Sequence, residues 1–140
     1  MYRLSDIAMI TGLTERTLRT YLKFGILKGK KEGRAWCFDI DELTAFLEHE
    51  TVKSAMRSNR NTLVFDFLND SFADEDTACV ILHLEKGKRQ ATAKFFCEAV
   101  NKREGVRMRF DTLRGTNQVI LLGKVETVDE IVDEYQNLEE

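Results

Sequence analysis

The chain has 140 residues, of which 43% are hydrophobic and 32% charged, and its net charge is −3. This length accommodates one domain or two small ones, and the composition is typical of a soluble globular protein. No run of about 18 uncharged apolar residues occurs, so we expect no membrane-spanning helix. The amino-terminal stretch MYRLSDIAM lacks the apolar core of a secretory signal. We therefore expect a cytoplasmic protein with no membrane partner.

The net charge conceals an asymmetry between the two ends of the chain. Residues 1–40 carry a balance of +4, whereas residues 61–140 carry a balance of −6. A basic amino-terminal part joined to an acidic carboxy-terminal part suggests that only the first part contacts a polyanion.

The three cysteines, Cys37, Cys79 and Cys97, show no zinc-binding spacing. An odd, sparse number of cysteines in a chain without an export signal favours reduced thiols. We interpret them as small apolar core residues and expect no metal and no cofactor. The alternative is a metal or redox site that pairs Cys79 with His83, four residues later.

Two short helices with a tight turn between them are predicted near the amino terminus. Ser5 is a good N-cap for the first helix, and Gly12 ends it. Thr14 caps a second helix that runs to about Phe24, and Gly25 stops it. Two helices with a glycine-containing turn make a helix-turn-helix.

A small basic hairpin, or wing, is predicted next. Gly29 and Gly33 bracket its tip, and residues 34–38 form its strand. Asp39 or Asp41 can cap a third helix that extends to about Met56. The polar stretch RSNRN at 57–61 is interpreted as the boundary between two domains, 1–58 and 61–140.

Strands and helices alternate in the second part. Strands are predicted at 62–68, 77–84, 106–111 and 118–125, and helices at 88–102 and after a capping box formed by Thr127 and Glu130. The order β-β-α-β-β-α favours an antiparallel sheet with helices on one face, so the expected fold class is α+β. Because 62–68 is a short apolar run, a continuation of the third helix is the alternative there.

Two loops of the second part have alternative interpretations as ion sites. The acidic loop at 70–76 could bind a cation, and EKGKRQ at 85–90 could bind an anion at the start of its helix. We interpret them instead as a solvated loop and a charged helix cap.

The second helix is strongly two-sided. At 100° per residue, Arg16, Arg19, Thr20 and Lys23 fall on one side, opposite Leu18, Tyr21 and Leu22. A helix fits the DNA major groove, where arginine and lysine reach guanine acceptors and threonine contacts a base or a phosphate. The helix face, the turn and the basic hairpin together predict binding to double-stranded DNA.

The stretch YRLSDIAMITGLTERTLRTYLKFGIL resembles the start of the MerR-type winged helix-turn-helix domain. The features that carry the resemblance are Thr11-Gly12, Leu18-Arg19, Tyr21 and the exit Gly25-Ile26-Leu27. It covers about residues 2–48, and the winged domains of phage excisionases share the same skeleton. The MerR pattern usually continues into a long dimerisation helix, whereas here the third helix is predicted to be short.

The resemblance implies roles for individual residues. It places Arg19 and Tyr21 on the phosphate backbone, and Thr14, Arg16, Thr17 and Thr20 near base edges. It also implies that the wing contacts the DNA that flanks the segment bound by the second helix. Trp36 and Cys37 stand where adjacent arginines are usual, so Lys30, Lys31 and Arg34 are expected to supply the charge from shifted positions. Trp36 itself is either a contact of the wing or a core plug between wing and helix.

These features predict a DNA-binding transcriptional regulator that acts as a homodimer on a pseudo-palindromic site. Residues 61–140 would provide dimerisation or a pocket for a small-molecule effector. The alternatives are an excisionase-like architectural factor and a protein-interaction adaptor. The sequence contains no Ser/His/Asp arrangement, no glycine-rich phosphate loop and no paired histidine ligands, so we expect no catalytic role.

Overall fold

The computed structural model describes residues 1–69, 75–85, 89–113 and 116–138. The chain divides into two compact units, Met1–Leu63 and Val64–Glu140. The protein mixes helix and sheet, as predicted. The elements in chain order are β1 Tyr2–Arg3, α1 Leu4–Thr11, α2 Glu15–Lys23, β2 Lys30–Glu32, β3 Ala35–Phe38, α3 Ile40–Glu48, α4 Glu50–Asn69, β4 Thr77–Glu85, α5 Arg89–Asn101, β5 Arg107–Leu113, β6 Thr116–Lys124 and α6 Val125–Leu138.

The turn between α1 and α2 follows from two local signals. Gly12 ends α1 in the left-handed conformation, with φ of 77°, which glycine adopts without a steric penalty. Thr14 then caps α2, and its hydroxyl oxygen accepts a hydrogen bond of 3.1 Å from the Thr17 amide. Both predicted signals are confirmed. The predicted cap of α1 is wrong, because α1 begins at Leu4 with Arg3, not Ser5, in the N-cap position.

A three-stranded antiparallel sheet completes this part of unit one, with strand order β1-β3-β2. Tyr2 lies opposite Phe38 and Arg3 opposite Cys37, while Lys30 faces Cys37 from the other side. Tyr2 and Phe38 are buried, which anchors the sheet in the core of the unit. Sequence reasoning predicted a hairpin here, but the predicted tip between Gly29 and Gly33 is wrong, because residues 30–32 form β2 and the turn lies at Gly33 and Arg34. It overlooked β1, because two residues are too short for a periodic signal.

The third and fourth helices depart from the prediction. Asp39, one of the two predicted candidates, caps α3, and it also exchanges a capping-box pair with Glu42 that was not predicted. The helix does not continue to Met56, because His49 adopts an extended conformation, with φ of −64° and ψ of 132°, and α4 begins after it.

The predicted strand at 62–68 is also wrong, since this segment is the last part of α4. Val52, Met56 and Leu63 are buried along α4 at helical spacing, on either side of the segment RSNRN. The polar residues at 57–61 lie within this helix and do not form a linker. Asn59 Nδ2 also donates to the carbonyl oxygen of Thr11 over 3.4 Å.

Unit two contains a second antiparallel sheet, with strand order β4-β6-β5. Its element order after α4 is β-α-β-β-α, one strand fewer than the predicted β-β-α-β-β-α. Met108 and Phe110 of β5 lie opposite Leu121 and Val119 of β6, and all four are buried. The helices α5 and α6 pack on this sheet and bury Phe96 and Ile131.

One arginine joins the two helices of unit two. Arg103 lies just after α5 and forms ion pairs with Glu130 at 3.3 Å and Glu134 at 2.6 Å on α6. Because α6 begins at Val125, the predicted capping box of Thr127 and Glu130 is wrong. Both residues lie inside the helix, and Glu130 is an ion-pair partner.

Some predicted features fall in segments that the structure does not describe. The acidic loop at 70–76 lies largely outside the described residues, and so does the middle of EKGKRQ at 85–90. Among the described residues, no helix combines the length and apolar character needed to cross a membrane.

Candidate nucleic-acid interface

The α2 helix presents a row of cations to solvent. Arg16, Arg19 and Lys23 are all exposed, as is Thr20. On the opposite side Leu18 is fully buried, and Tyr21 and Leu22 are half-buried. The apolar side holds the helix against the rest of unit one, and the charged side remains available to a ligand.

These cations are not neutralised by the protein itself. Within the described parts of the chain, none of Arg16, Arg19 and Lys23 forms an ion pair with a carboxylate. A solvated guanidinium or ammonium group without a partner is able to exchange water for phosphate or base acceptors.

The threonine hydroxyls that were predicted to lie near DNA bases form hydrogen bonds within the protein. Thr14 Oγ1 accepts from the Thr17 amide and donates to Thr17 Oγ1 over 3.0 Å. Thr20 Oγ1 donates to the carbonyl oxygen of Arg16 over 3.2 Å. All three threonines keep acceptor lone pairs and methyl groups for a ligand. Thr14 and Thr20 use their hydroxyl donors within the protein, whereas the Thr17 hydroxyl only accepts in these contacts.

Tyr21, for which the resemblance predicts a contact with the DNA phosphate backbone, also has a packing contact within the protein. Its ring meets Phe46 of α3 edge-on, with ring centroids 5.8 Å apart and planes at 61°. This geometry is typical of stabilising aromatic pairs. The ring therefore fixes the end of α2 against α3.

The β2–β3 hairpin carries the other predicted cations. Lys30, Lys31 and Arg34 are all exposed. Lys31 Nζ lies 5.8 Å from the centre of the Trp36 ring, which is within cation–π range. Trp36 in turn stacks on the buried Phe38, with centroids 6.5 Å apart. Trp36 is half-buried, so it joins the hairpin to the core and still keeps an accessible edge.

A cleft of about 480 Å³ lies between the hairpin and the first two helices. Three exposed arginines from three different elements meet there, namely Arg3, Arg19 and Arg34. Two carboxylates, Glu15 and Glu32, also line it, yet none of the three arginines forms an ion pair in the described structure. The remaining lining residues are Leu4, Ser5, Ala35, Trp36 and Cys37.

Sequence reasoning missed Arg3, because it placed the N-cap of α1 at Ser5 and gave Arg3 no role. An arginine side chain has no acceptor for the free amides at a helix start, and its charge opposes the positive end of the helix dipole. The α1 helix nevertheless begins with Arg3, supported by the Arg3 amide donating to Asp6 Oδ2 over 2.9 Å. Arg3 is therefore a poor cap for α1.

The thiols and carboxylates do not form a metal site in the described residues. No three His, Cys, Asp or Glu side chains there lie close enough together to hold an ion. Cys37 lines the cleft, and its thiol lies 3.8 Å from a Glu32 oxygen.

Comparison of the chain with protein-family models, with curated proteins and with solved structures finds no match. The interpretation of this surface therefore depends on its own residues.

Proposed function

We propose that unit one is a winged helix-turn-helix that binds duplex DNA, and that the protein is a sequence-specific transcriptional regulator acting as a homodimer. The observation that carries this proposal is the continuous set of exposed, unpaired cations on α2 and in the adjoining cleft. The compartment that fits this function is the cytoplasm, where DNA is accessible in bacteria.

The α2 helix would lie in the major groove. Arg16 and Lys23 would reach guanine acceptors, and their exposure on α2 without ion-pair partners in the described structure supports this role. The methyl groups of Thr17 and Thr20 would contact thymine methyls or the sugar edge. Leu18 and Tyr21 would keep the orientation of the helix fixed while it binds.

The cleft would take the phosphate backbone next to that groove. Guanidinium groups hold phosphate oxygens in paired hydrogen bonds, and three of them surround this cleft, from Arg3, Arg19 and Arg34. Lys30 and Lys31 would then contact the following phosphates along the hairpin. Glu15 and Glu32 would disfavour an anion placed deep in the cleft, which favours a phosphate bound at its rim.

A salt titration tests the proposal. Binding of random duplex DNA is measured by fluorescence anisotropy for the wild type, for Arg16→Ala/Lys23→Ala and for Lys102→Ala/Arg107→Ala. The last variant removes the same charge from exposed positions in unit two. About five phosphate contacts per chain give a log–log slope near −4 to −5, and each lost contact reduces that slope by about one.

We expect the Arg16/Lys23 variant to lose both affinity and slope, whereas the Lys102/Arg107 variant keeps both. Equal losses in the two variants would mean that net charge, and not the α2 face, determines binding. Absence of binding at 50 mM salt would overturn the proposal.

A second groove gives the adaptor alternative a physical basis. It has a volume of about 500 Å³ and lies between the exit of α2 and α3, with Ile26, Ala45 and Phe46 among its lining residues. Such an apolar groove suits a side chain of a protein partner. This alternative predicts that duplex DNA is not bound even at low salt and that Ala45→Arg abolishes binding of the partner protein. The excisionase-like alternative predicts a strongly bent complex, which a circular-permutation bend assay detects.

A further inference from the structure

The β4 strand of unit two is apolar and yet unburied. Its sequence, TACVILHLE, contains a single Asp, Glu, Lys or Arg residue, Glu85 at its end, in a chain that is 32% charged. None of its nine side chains is classed as buried, and Ile81 at its centre is 49% exposed. Within the described part of the chain β4 pairs only with β6, so its other edge offers free backbone groups.

The opposite edge of the same sheet is built differently. Met108 and Phe110 of β5 are fully buried, and the alternate positions of the strand carry charged residues: Arg107 is exposed, Arg109 is half-buried and Asp111 is buried. Charged residues on an edge strand oppose pairing with another chain. The β4 strand lacks this protection, and its register with β6 runs without a bulge from Thr77 to Glu85. The sheet therefore has one edge strand, β5, that carries charged residues against pairing with another chain, and one edge strand, β4, that lacks them.

We infer that β4 pairs antiparallel with β4 of a second copy, so that two three-stranded sheets become one six-stranded sheet. The strand composition favours this occupant, because a β4–β4 pair brings no like charges together. Pairing across the axis also covers the half-exposed Val80, Leu82 and Leu84. This inference identifies the surface of the homodimer that the proposed function assumes.

The alternation of side chains fixes the register of the pair. Two residues that face each other across the pair point to the same side of the sheet. The two-fold axis therefore passes midway between one residue and the same residue of the second copy. Ile81 is the middle of the nine-residue strand, and an axis there pairs all nine residues of both copies. Val80 then lies opposite Leu82 of the second copy, and Cys79 lies opposite His83. Since this axis is perpendicular to the sheet, α5 and α6 of both copies lie on the same face.

The oligomeric state of the full chain tests the inference without DNA, so its failure is distinguishable from a failure of DNA binding by unit one, which the salt titration measures. Ile81→Lys places two ammonium groups against each other at the axis. We expect the wild type to sediment near twice the 16.2 kDa of one chain at 20 µM, and Ile81→Lys to sediment as a monomer. Far-UV circular dichroism checks that the variant remains folded.

Phe65→Lys is the matched control. Phe65 is also an exposed apolar residue, at 64%, but it lies on α4. We expect this variant to remain dimeric. A wild-type monomer would overturn the inference, and so would a dimer that Phe65→Lys dissociates and Ile81→Lys does not.

Cross-linking tests the register itself. Directly opposed residues in an antiparallel pair have Cα atoms about 4.5–5.5 Å apart, which is within the range of a disulfide. In a chain with its three cysteines changed to serine, Ile81→Cys should form a covalent dimer on mild oxidation. Lys102→Cys, an exposed site outside the sheet, should not. If Ile81→Cys stays uncross-linked while the chain is dimeric, the proposed pairing is wrong.

Discussion

At the scale of single residues, Arg3 conflicts most clearly with local stability. It occupies a helix N-cap that serine, threonine or aspartate fills better, and it lines the cleft with two other arginines. Under the proposed function, stability and DNA binding make opposite demands on this position. A conflict of this kind gives a prediction in which two measurements move in opposite directions.

Arg3→Ser should raise the free energy of unfolding by about 0.5–1 kcal/mol, because serine can accept a hydrogen bond from a free amide of α1. The same change should weaken DNA binding several-fold, since one guanidinium leaves the cleft. Urea denaturation and fluorescence anisotropy measure the two effects. Arg3→Lys is the control, because it keeps the charge and does not improve the cap. Arg3 has no binding role if the serine variant gains stability and keeps its affinity.

Cys79 gives a pH-dependent prediction at the same scale. Burial raises the pKa of the Cys79 thiol above its ordinary value, because the thiolate is poorly solvated there. The neutral thiol is therefore favoured in the folded state, and this contribution to stability is lost as the pH rises through the raised pKa. In a Cys37→Ser/Cys97→Ser chain, the alkylation rate of Cys79 should increase at a higher pH than that of the urea-unfolded chain. Coinciding profiles would contradict the prediction.

At the scale of elements, Arg103 is the main polar link between α5 and α6. It donates to Glu130, to Glu134 and, over 2.8 Å, to the carbonyl oxygen of Ala99. Burial alone would lower the pKa of Arg103, but the hydrogen bonds to Glu134 and Glu130 outweigh it and leave the pKa above its ordinary value. The guanidinium is largely shielded, whereas both carboxylates remain half-exposed or more, which limits the energy of each pair.

Arg103→Ala should lower the free energy of unfolding by about 1–2 kcal/mol, through the loss of both pairs and the Ala99 contact. Lys94→Ala is the matched control, because Lys94 pairs with Glu98 at 3.9 Å on the surface of α5. Its effect should stay within about 0.5 kcal/mol. Thermal denaturation measures the change in the free energy of unfolding for both variants. Equal destabilisation would show that the two carboxylates add nothing beyond an ordinary surface pair.

Elements were predicted well where a local rule defines their ends. Gly12, Thr14 and Asp39 determine backbone geometry through their own atoms, and all three act as predicted. The segment 62–68 has no such marker, and its short apolar run is compatible with either strand or helix. Packing decides the matter, since Leu63 continues the buried stripe of Val52 and Met56.

At the scale of the whole molecule, the charge divides with the two units. Residues 1–63 carry a net charge of +3 and residues 64–140 a net charge of −6. Exposed carboxylates on α6 contribute to the second value, and Glu126, Asp129 and Asp133 form no ion pair in the described structure. The acidic unit should therefore slow the approach of DNA to the basic unit.

Neutralising this face with Glu126→Gln/Asp129→Asn/Asp133→Asn should raise the association rate with duplex DNA about two- to five-fold at 50 mM salt. The gain should vanish near 0.5 M salt, because the screening length there is only a few ångströms. Stopped-flow anisotropy measures the rate. A gain that persists at high salt would indicate a change in structure rather than in long-range charge.

The sequence by itself determined the turn of unit one and the cationic face of α2, and it limited the cap of α3 to Asp39 or Asp41, because each depends on residues within a few positions of one another. Only the tertiary structure decided that Arg3, Arg19 and Arg34 share a cleft, since their elements are distant along the chain. It also decided that β4 and β5 are the two edge strands of the second sheet, of which only β5 carries charged residues along its length. The sequence of a strand shows its hydrophobic alternation and its β propensity. Whether the strand lies at the edge of a sheet depends on which neighbouring strands hydrogen-bond to it.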